Sequence, residues 1–443
     1  PIAPPVDCSK MTKMKHEPTV TLNRLDPDAL RSRERELDTK YKQFCAAGLS
    51  LDLTRGKPSP AQLTLADNLD TTEQGFMTPA GTDTRNYGGV DGLPEARELG
   101  AALLGLRPDE VIAGGNSSLT LMYLYLLHAW LYGPAGPGTA WRDAGQARFL
   151  CPVPGYDRHF RILEDLGIEM INVSMGDEGP EMDEVEARIR DDESIRGIWC
   201  VPKYSNPGGQ VYSDTTIDRL ARLAKSAGPL FRVMCDNAYA VHDLDDDPPR
   251  LTNIMDTFRL HTSEDSLVLF GSTSKITRAG AGISFIAGSA TTLDHFRERM
   301  RVFTIGPDKV NQLRHVRFLR NLTGIRAHMR KHAGILRPKF ELVQRRLSSA
   351  LEGTGMGMWT TPHGGYFLSF DTLPGLATEI VNLAAGAGVK LTPAGATFPY
   401  RRDPDDVNIR LAPTFPELAD LDQALQVFVL CVQLASIRQA LSQ

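Results

Sequence analysis

Four short stretches set polar side chains directly after apolar runs. "SLVLFGSTSKIT" brings Ser272, Ser274 and Lys275; "FRVMCDNAYAVHDL" brings Asp236 and Tyr239; "GIWCVPKYSNPGG" brings Asn206; "EVIAGGNSSL" brings Gly115, Asn116, Ser117 and Ser118. Taken singly, each has an ordinary reading: a surface lysine, a helix cap, a core tyrosine, a turn, a helix start. Taken together they offer an amine, an acid, two donors and a cradle of backbone N–H groups and hydroxyls. An acid after a nearly all-apolar run is buried and must find a cationic partner. A helix N-terminus with small residues suits a phosphate through its free N–H groups and its dipole. Amine, ring-nitrogen acid, phenolic-oxygen donors and phosphate cradle are the four contacts that a pyridoxal phosphate site requires.

The elements that must hold these groups can be read from periodicity. Seven β-rich runs, "EVIAG", "ARFLCPV", "IEMINV", "GIWCVP", "FRVMCD", "SLVLFG" and "GISFIAG", follow one another from about residue 109. Amphipathic segments lie between several of them. In "SDTTIDRLARLAKSAG" Ile217, Leu220, Ala221 and Ala224 share a face, Ser213 can cap the start and Gly228 can end it. Strands alternating with helices predict an α/β fold, a mostly parallel seven-stranded sheet in a three-layer α/β/α arrangement. Ligands gather at the carboxyl ends of such strands. Past residue 300 the text turns to long arginine-rich helical stretches and then to strands around "GGYFLSF" and "DVNIRLAP". Apolar residues recur between those arginines, which reads as one solvated face of a linking helix. The expected division is an arm with part of a small domain over residues 1–55, a large domain over 56–310, and a linking helix with a small α+β domain over 311–443.

Composition narrows the classes. The 443 residues carry a net charge of −5, are 42% hydrophobic and 23% charged, and concentrate no basic run, so nucleic acid is not an expected partner. The apolar run "LTLMYLYLLHAWLYG" is shorter than a bilayer span and contains His128; it reads as a buried helix and no membrane role is expected. Six scattered cysteines without a CxxC pair read as free thiols of a reducing cytoplasm. His159, His242 and His363 form no HxH or HExxH spacing, so no metal is expected, and "GGNSSL" is no dinucleotide fingerprint. The proline-rich start reads as an arm.

Nine segments resemble, in order, the fold-type I pyridoxal phosphate aminotransferases of class I/II: "NYGGVDGLPEAR", "GGNSSL", "CPVPGYDRHF", "SNPGGQVYS", "DNAYAVHDL", "STSKITRAG", "PHGGYFLSF", "LTPAGATF" and "NIRLAPTFP". They run from about residue 85 to 416, and their wording is most similar to a bacterial aspartate aminotransferase subgroup. The resemblance implies Lys275 as the Schiff-base amine and proton carrier, Asp236 at the pyridine nitrogen, and Asn206 with Tyr239 at the phenolic oxygen. It implies Arg410 as the clamp on the substrate α-carboxylate, Gly56 beside it, and Tyr156 stacked on the ring. Gly115, Asn116, Ser117, Ser272 and Ser274 would cradle the phosphate, and Tyr87 would reach the phosphate of a neighbouring subunit in a homodimer with shared sites. The family's phosphate-pairing arginine, eight residues past the lysine, is missing here; that place falls near Gly282 and Ile283, and Arg278 is the expected replacement. Substrates would be an amino acid and a 2-oxo acid, aspartate or glutamate with 2-oxoglutarate, with Arg55, Lys57, Arg158 and Arg278 open as partners of a distal carboxylate. Two alternatives in the same fold are an aminotransferase for aromatic or kynurenine-type amino acids and a pyridoxal-dependent lyase. A third, of another class, is the sensor part of a transcription regulator.

Overall fold

The computed structural model describes residues 26–70 and 75–442; most of the N-terminal arm, and Cys8 with it, lies outside the described residues. The chain builds one large sheet whose strand order is Val111–Ala113, Ser284–Gly288, Leu267–Ser272, Arg232–Asp236, Ile195–Cys200, Arg148–Val153, Glu169–Gly176 and Gly179–Pro180. The five strands from Leu267–Ser272 to Glu169–Gly176 pair in parallel. Ser284–Gly288 runs against both its neighbours. All seven expected strands are present; the eighth, Gly179–Pro180, folds back on Met175 and Gly176. Two residues after a turn carry no periodic signal, which is why the sequence hides it.

The central strands are apolar on both faces because both are covered. Along Arg232–Asp236 and Leu267–Ser272, Val233, Cys235, Leu267 and Leu269 enter one core, while Met234, Val268 and Phe270 enter the other. Successive side chains of a strand point to opposite faces, so a continuous apolar run is what a doubly covered strand needs. The flanking helix Asp214–Ser226 starts as its sequence says. Ser213 Oγ accepts from the Thr216 N–H at 3.2 Å, and Ile217, Leu220, Ala221 and Ala224 are buried. Gly228, two residues past the end, takes φ +87°.

A second core gathers residues from both ends of the described chain. It contains the antiparallel sheet of Gly357–Trp359, Leu368–Thr372 and Asn408–Leu411, and the helices Pro27–Ala46 and Leu418–Ser442. Leu51 and Asp52 add a short parallel pair with Val389 and Lys390. Helix Leu418–Ser442 is long and apolar enough to cross a membrane by length and composition, yet its apolar stretch is mostly buried inside the protein. It is a core helix; Gln426 and Gln433 interrupt the run and kept it from standing out beside residues 119–133. Helix Leu322–Leu351 threads the whole assembly. Ile325 and Met329 pack in the first core, Leu336 and Phe340 against Tyr239 and Tyr366, and Val343, Leu347 and Leu351 in the second core. Arg326, Arg330 and Arg345 stay on its exposed side.

Candidate active site

Asp236 ends its strand with a buried carboxylate, and its partner in the protein is a histidine. His159 Nε2 lies 3.0 Å from Asp236 Oδ2, and the His159 ring stacks on Trp199 with centroids 4.0 Å apart and planes 6° apart. The other oxygen, Oδ1, is buried with no hydrogen-bond partner. An unpartnered buried carboxylate oxygen is costly, so it marks a place for an external donor. A protonated pyridine nitrogen is such a donor, and the acid therefore fits pyridoxal phosphate. Lys275 Nζ lies 5.1 Å from the centre of the Tyr239 ring and 6.0 Å from that of Tyr366. Burial holds its amine below the ordinary lysine value, against the pull of the Asp236 charge. A neutral amine is the nucleophilic form.

Burial pushes the Tyr239 phenol well above its usual range, so it stays a donor; it pushes Tyr156 up to about 12. Tyr156 stands edge-on to His159 at 5.0 Å, which brings it to the Asp236 side of the site. Asn206 is buried beside a cis Pro207, and its Oδ1 accepts from Arg410 Nη1 at 3.4 Å. That leaves its NH2 as the free donor. Arg410 is buried, lies 4.9 Å over the Phe367 ring, and donates from the same Nη1 to Asp157 Oδ1 at 2.9 Å. Gly56 explains itself against the same ring: a Cβ there would sit 2.3 Å from Phe367 Cζ.

The serines and the helix start converge. Ser272 Oγ bonds Ser274 Oγ at 2.8 Å, Ser274 Oγ donates to the Asn116 carbonyl at 3.0 Å, and Asn116 Nδ2 donates to the Gly280 carbonyl at 3.0 Å. The Gly115 carbonyl accepts from the Ser284 N–H at 2.7 Å, and a Cβ on Gly115 would meet nothing within 4 Å. Ser117 caps the helix Ser118–Tyr132 by accepting from Thr120 N–H. Arg278 turns elsewhere: Nη1 donates to Asp70 Oδ2 at 2.5 Å and Nη2 to the Ala66 carbonyl at 3.1 Å. An arginine at the family's usual place is sterically barred, since a Cβ on Gly282 would lie 2.8 Å from the Ser274 nitrogen and Ile283 is core. Tyr87 is 84% exposed, with its carbonyl held by Lys309 Nζ at 3.1 Å. Of the other cations considered for a distal carboxylate, Lys57 covers Phe415 at 3.8 Å, Arg158 lies 3.9 Å from Asp157, and Arg55 is exposed.

Behind the lysine runs a buried relay that sequence reasoning missed. Gln62 Oε1 accepts from the Ser59 N–H, so its Nε2 donates to Tyr366 OH at 2.9 Å and to His332 Nδ1 at 3.0 Å. His332 Nε2 must then carry the proton; His328 Nε2, 3.2 Å away, donates its own proton to the Ile276 carbonyl at 2.8 Å, so the chain of donors ends between the two rings. Tyr366 OH and His242 Nε2 both approach the Lys275 carbonyl at 3.4 Å. Burial keeps these imidazoles neutral, His332 down to about 4 and His242 well below its usual value. His328 and His332 stand four apart in one helix, a spacing that puts them on one face and could have flagged them. His159 sits in a quoted motif, but only the fold brings it to Asp236.

The geometry has counterparts. The family described as aspartate amino-transferase matches residues 25–443. An aspartate aminotransferase of Corynebacterium glutamicum is 41% identical over 420 residues, 94% of this chain and 97% of that protein. The crystal structure of an aspartate transaminase from the same species superposes with a TM-score of 0.92 at 40% identity, covering 96% of this chain and all of the other. At 19% identity, a Thermus thermophilus α-aminoadipate aminotransferase complexed with N-(5′-phosphopyridoxyl)-L-leucine shares the fold, with a TM-score of 0.71 over 90% of this chain and 95% of that one. A family match over nearly the whole chain, with a relative above 40% identity, makes this protein an aminotransferase and a member of the aspartate aminotransferase family.

Proposed function

We propose that the enzyme is an aspartate transaminase, moving the amino group between aspartate (or glutamate) and a 2-oxo acid, 2-oxoglutarate where aspartate is the donor, with pyridoxal 5′-phosphate as its cofactor. The observation that carries this reading is Asp236, one oxygen on His159 and the other unpartnered, with the desolvated amine of Lys275 nearby. When bound, the cofactor supplies an electron sink for the bonds at the substrate α-carbon. Lys275 holds it through its amine and, once released, carries the proton at that carbon. Asp236 would face the ring nitrogen, and His159 would hold the Asp236 carboxylate in place for it. Tyr239 and the Asn206 NH2 donate to the phenolic oxygen, and Tyr156 covers the ring. Ser272, Ser274 and the Gly115–Ser117 turn receive the phosphate. Arg278 adds a cation there only by releasing Asp70.

Arg410 fixes the substrate α-carboxylate, with Gly56 keeping the backbone close. We further propose a homodimer in which exposed Tyr87 reaches the phosphate of the partner. The exposed Val302, Phe303 and Ile305 support this, because a Cβ on Gly306 would lie 2.7 Å from the Gly88 carbonyl, which puts that apolar stretch beside Tyr87. The large and small domains meet near residues 55–56 and 310–311, and the cytoplasm is the expected compartment. Cys200 and Cys235 support it: they face each other across neighbouring strands as free thiols. Steady-state assays with aspartate, glutamate and aromatic donors test the substrate. Negligible turnover of the two dicarboxylic donors refutes it, and Lys275→Ala must abolish both colour on cofactor addition and turnover.

A further inference from the structure

Arg410 reaches the site from the small sheet already engaged by a carboxylate. Its Nη1 donates to Asp157 Oδ1 at 2.9 Å, while its Nε is buried with no partner. Asp157 is the first residue of the helix Asp157–Asp165, on the large-sheet side, so this ion pair bridges the two cores. The helix N-terminus favours a negative charge there and holds the carboxylate in place. The same short turn is pinned from the other side, the Gly155 N–H donating to the Thr397 carbonyl at 2.8 Å. The second Asp157 oxygen lies 3.9 Å from Arg158.

We propose that Asp157 is a specificity-determining residue, a built-in carboxylate that competes with the substrate for Arg410. The inference rests on Arg410 being the α-carboxylate clamp. One guanidinium carries one positive charge; a ligand carboxylate brought to it beside Asp157 makes two negative charges share it, at a site where the Arg410 side chain is 8% and the Asp157 side chain 31% exposed. A lone small anion gains too little to enter. A ligand that also gains the amine and side-chain contacts of an amino acid does enter, so Asp157 exchanges raw affinity for discrimination.

The test uses holoenzyme and succinate as a plain dicarboxylate. Calorimetry on Asp157→Asn, which keeps the shape and an acceptor for Nη1, should show the succinate Kd falling about tenfold, and the KM for aspartate should fall more than kcat changes. Asp157→Ser, smaller and uncharged, should move Kd in the same direction, and melting temperatures identify a variant that has lost its fold. An unchanged or raised Kd in folded Asp157→Asn overturns the inference. Arg410→Lys separates the two readings. If it weakens succinate while Asp157→Asn gives no gain, the clamp stands and Asp157 is no competitor; if Arg410→Lys leaves succinate binding intact, the clamp itself falls.

Discussion

Replacing His159 by phenylalanine isolates one hydrogen bond. The ring stack on Trp199, 4.0 Å between centroids, can persist, whereas the 3.0 Å contact with Asp236 Oδ2 is lost. Both side chains are buried, at 2% and 7% exposure, so water does not replace the missing donor. A hydrogen bond to a charged group contributes about 1.5–3 kcal/mol. Without it the carboxylate is less firmly oriented and holds the cofactor's ring nitrogen less well. At about 1.4 kcal/mol per factor of ten, the expected loss is roughly 10- to 150-fold in cofactor affinity. Absorbance titration of stripped enzyme with pyridoxal 5′-phosphate reads the affinity, with melting temperature as a control for folding. A His159→Phe variant that binds cofactor and turns over aspartate within twofold of the parent refutes the reasoning.

Three further outcomes follow from the same geometry. Gly56→Ala should push Phe367 and, through it, Arg410; overpacking of this kind costs about 1–3 kcal/mol, so the KM for aspartate should rise about 5- to 150-fold in steady-state assays. Asp70→Asn should release Arg278 and tighten cofactor binding by about two- to fivefold, the scale of a surface ion pair, and a weaker cofactor Kd would show that Asp70 serves the site instead. His128 and His332 are buried and held down to about 4 from 6.5. The unfolded chain therefore binds the extra protons first: their contribution is whole above pH 6.5 and is lost as pH falls toward 4, by up to about 3 kcal/mol each. Urea titrations at pH 7 and 5 should show the loss, and His128→Leu should reduce it.

What could be read from the sequence was set by locality. Strand ends with a distinctive residue, Asp236 after "FRVMC" or Lys275 after "SLVLFGSTS", announce themselves because a polar group after an apolar run is improbable without a use. The helix Asp214–Ser226 was legible down to its cap, since cap and periodicity lie within one short window. Partners separated along the chain were not. Nothing near Asp236 names His159, 77 residues away, and nothing near Gln62 names His332, 270 residues on. Arg278 shows the converse limit: its position beside the lysine suggested the phosphate, but a carboxylate 208 residues earlier takes its guanidinium.

The docking of helix Pro27–Ala46 sets an order of events during synthesis. Leu30 and Leu37 pack with Val427, Phe428 and Cys431, and Glu34 and Asp38 receive Arg438 at 3.3 and 2.9 Å. Those partners leave the ribosome some 400 residues later. This helix, the first among the described residues, thus waits with its apolar stripe uncovered until residues 427–438 are made, and a chain released at residue 417 would lack those partners.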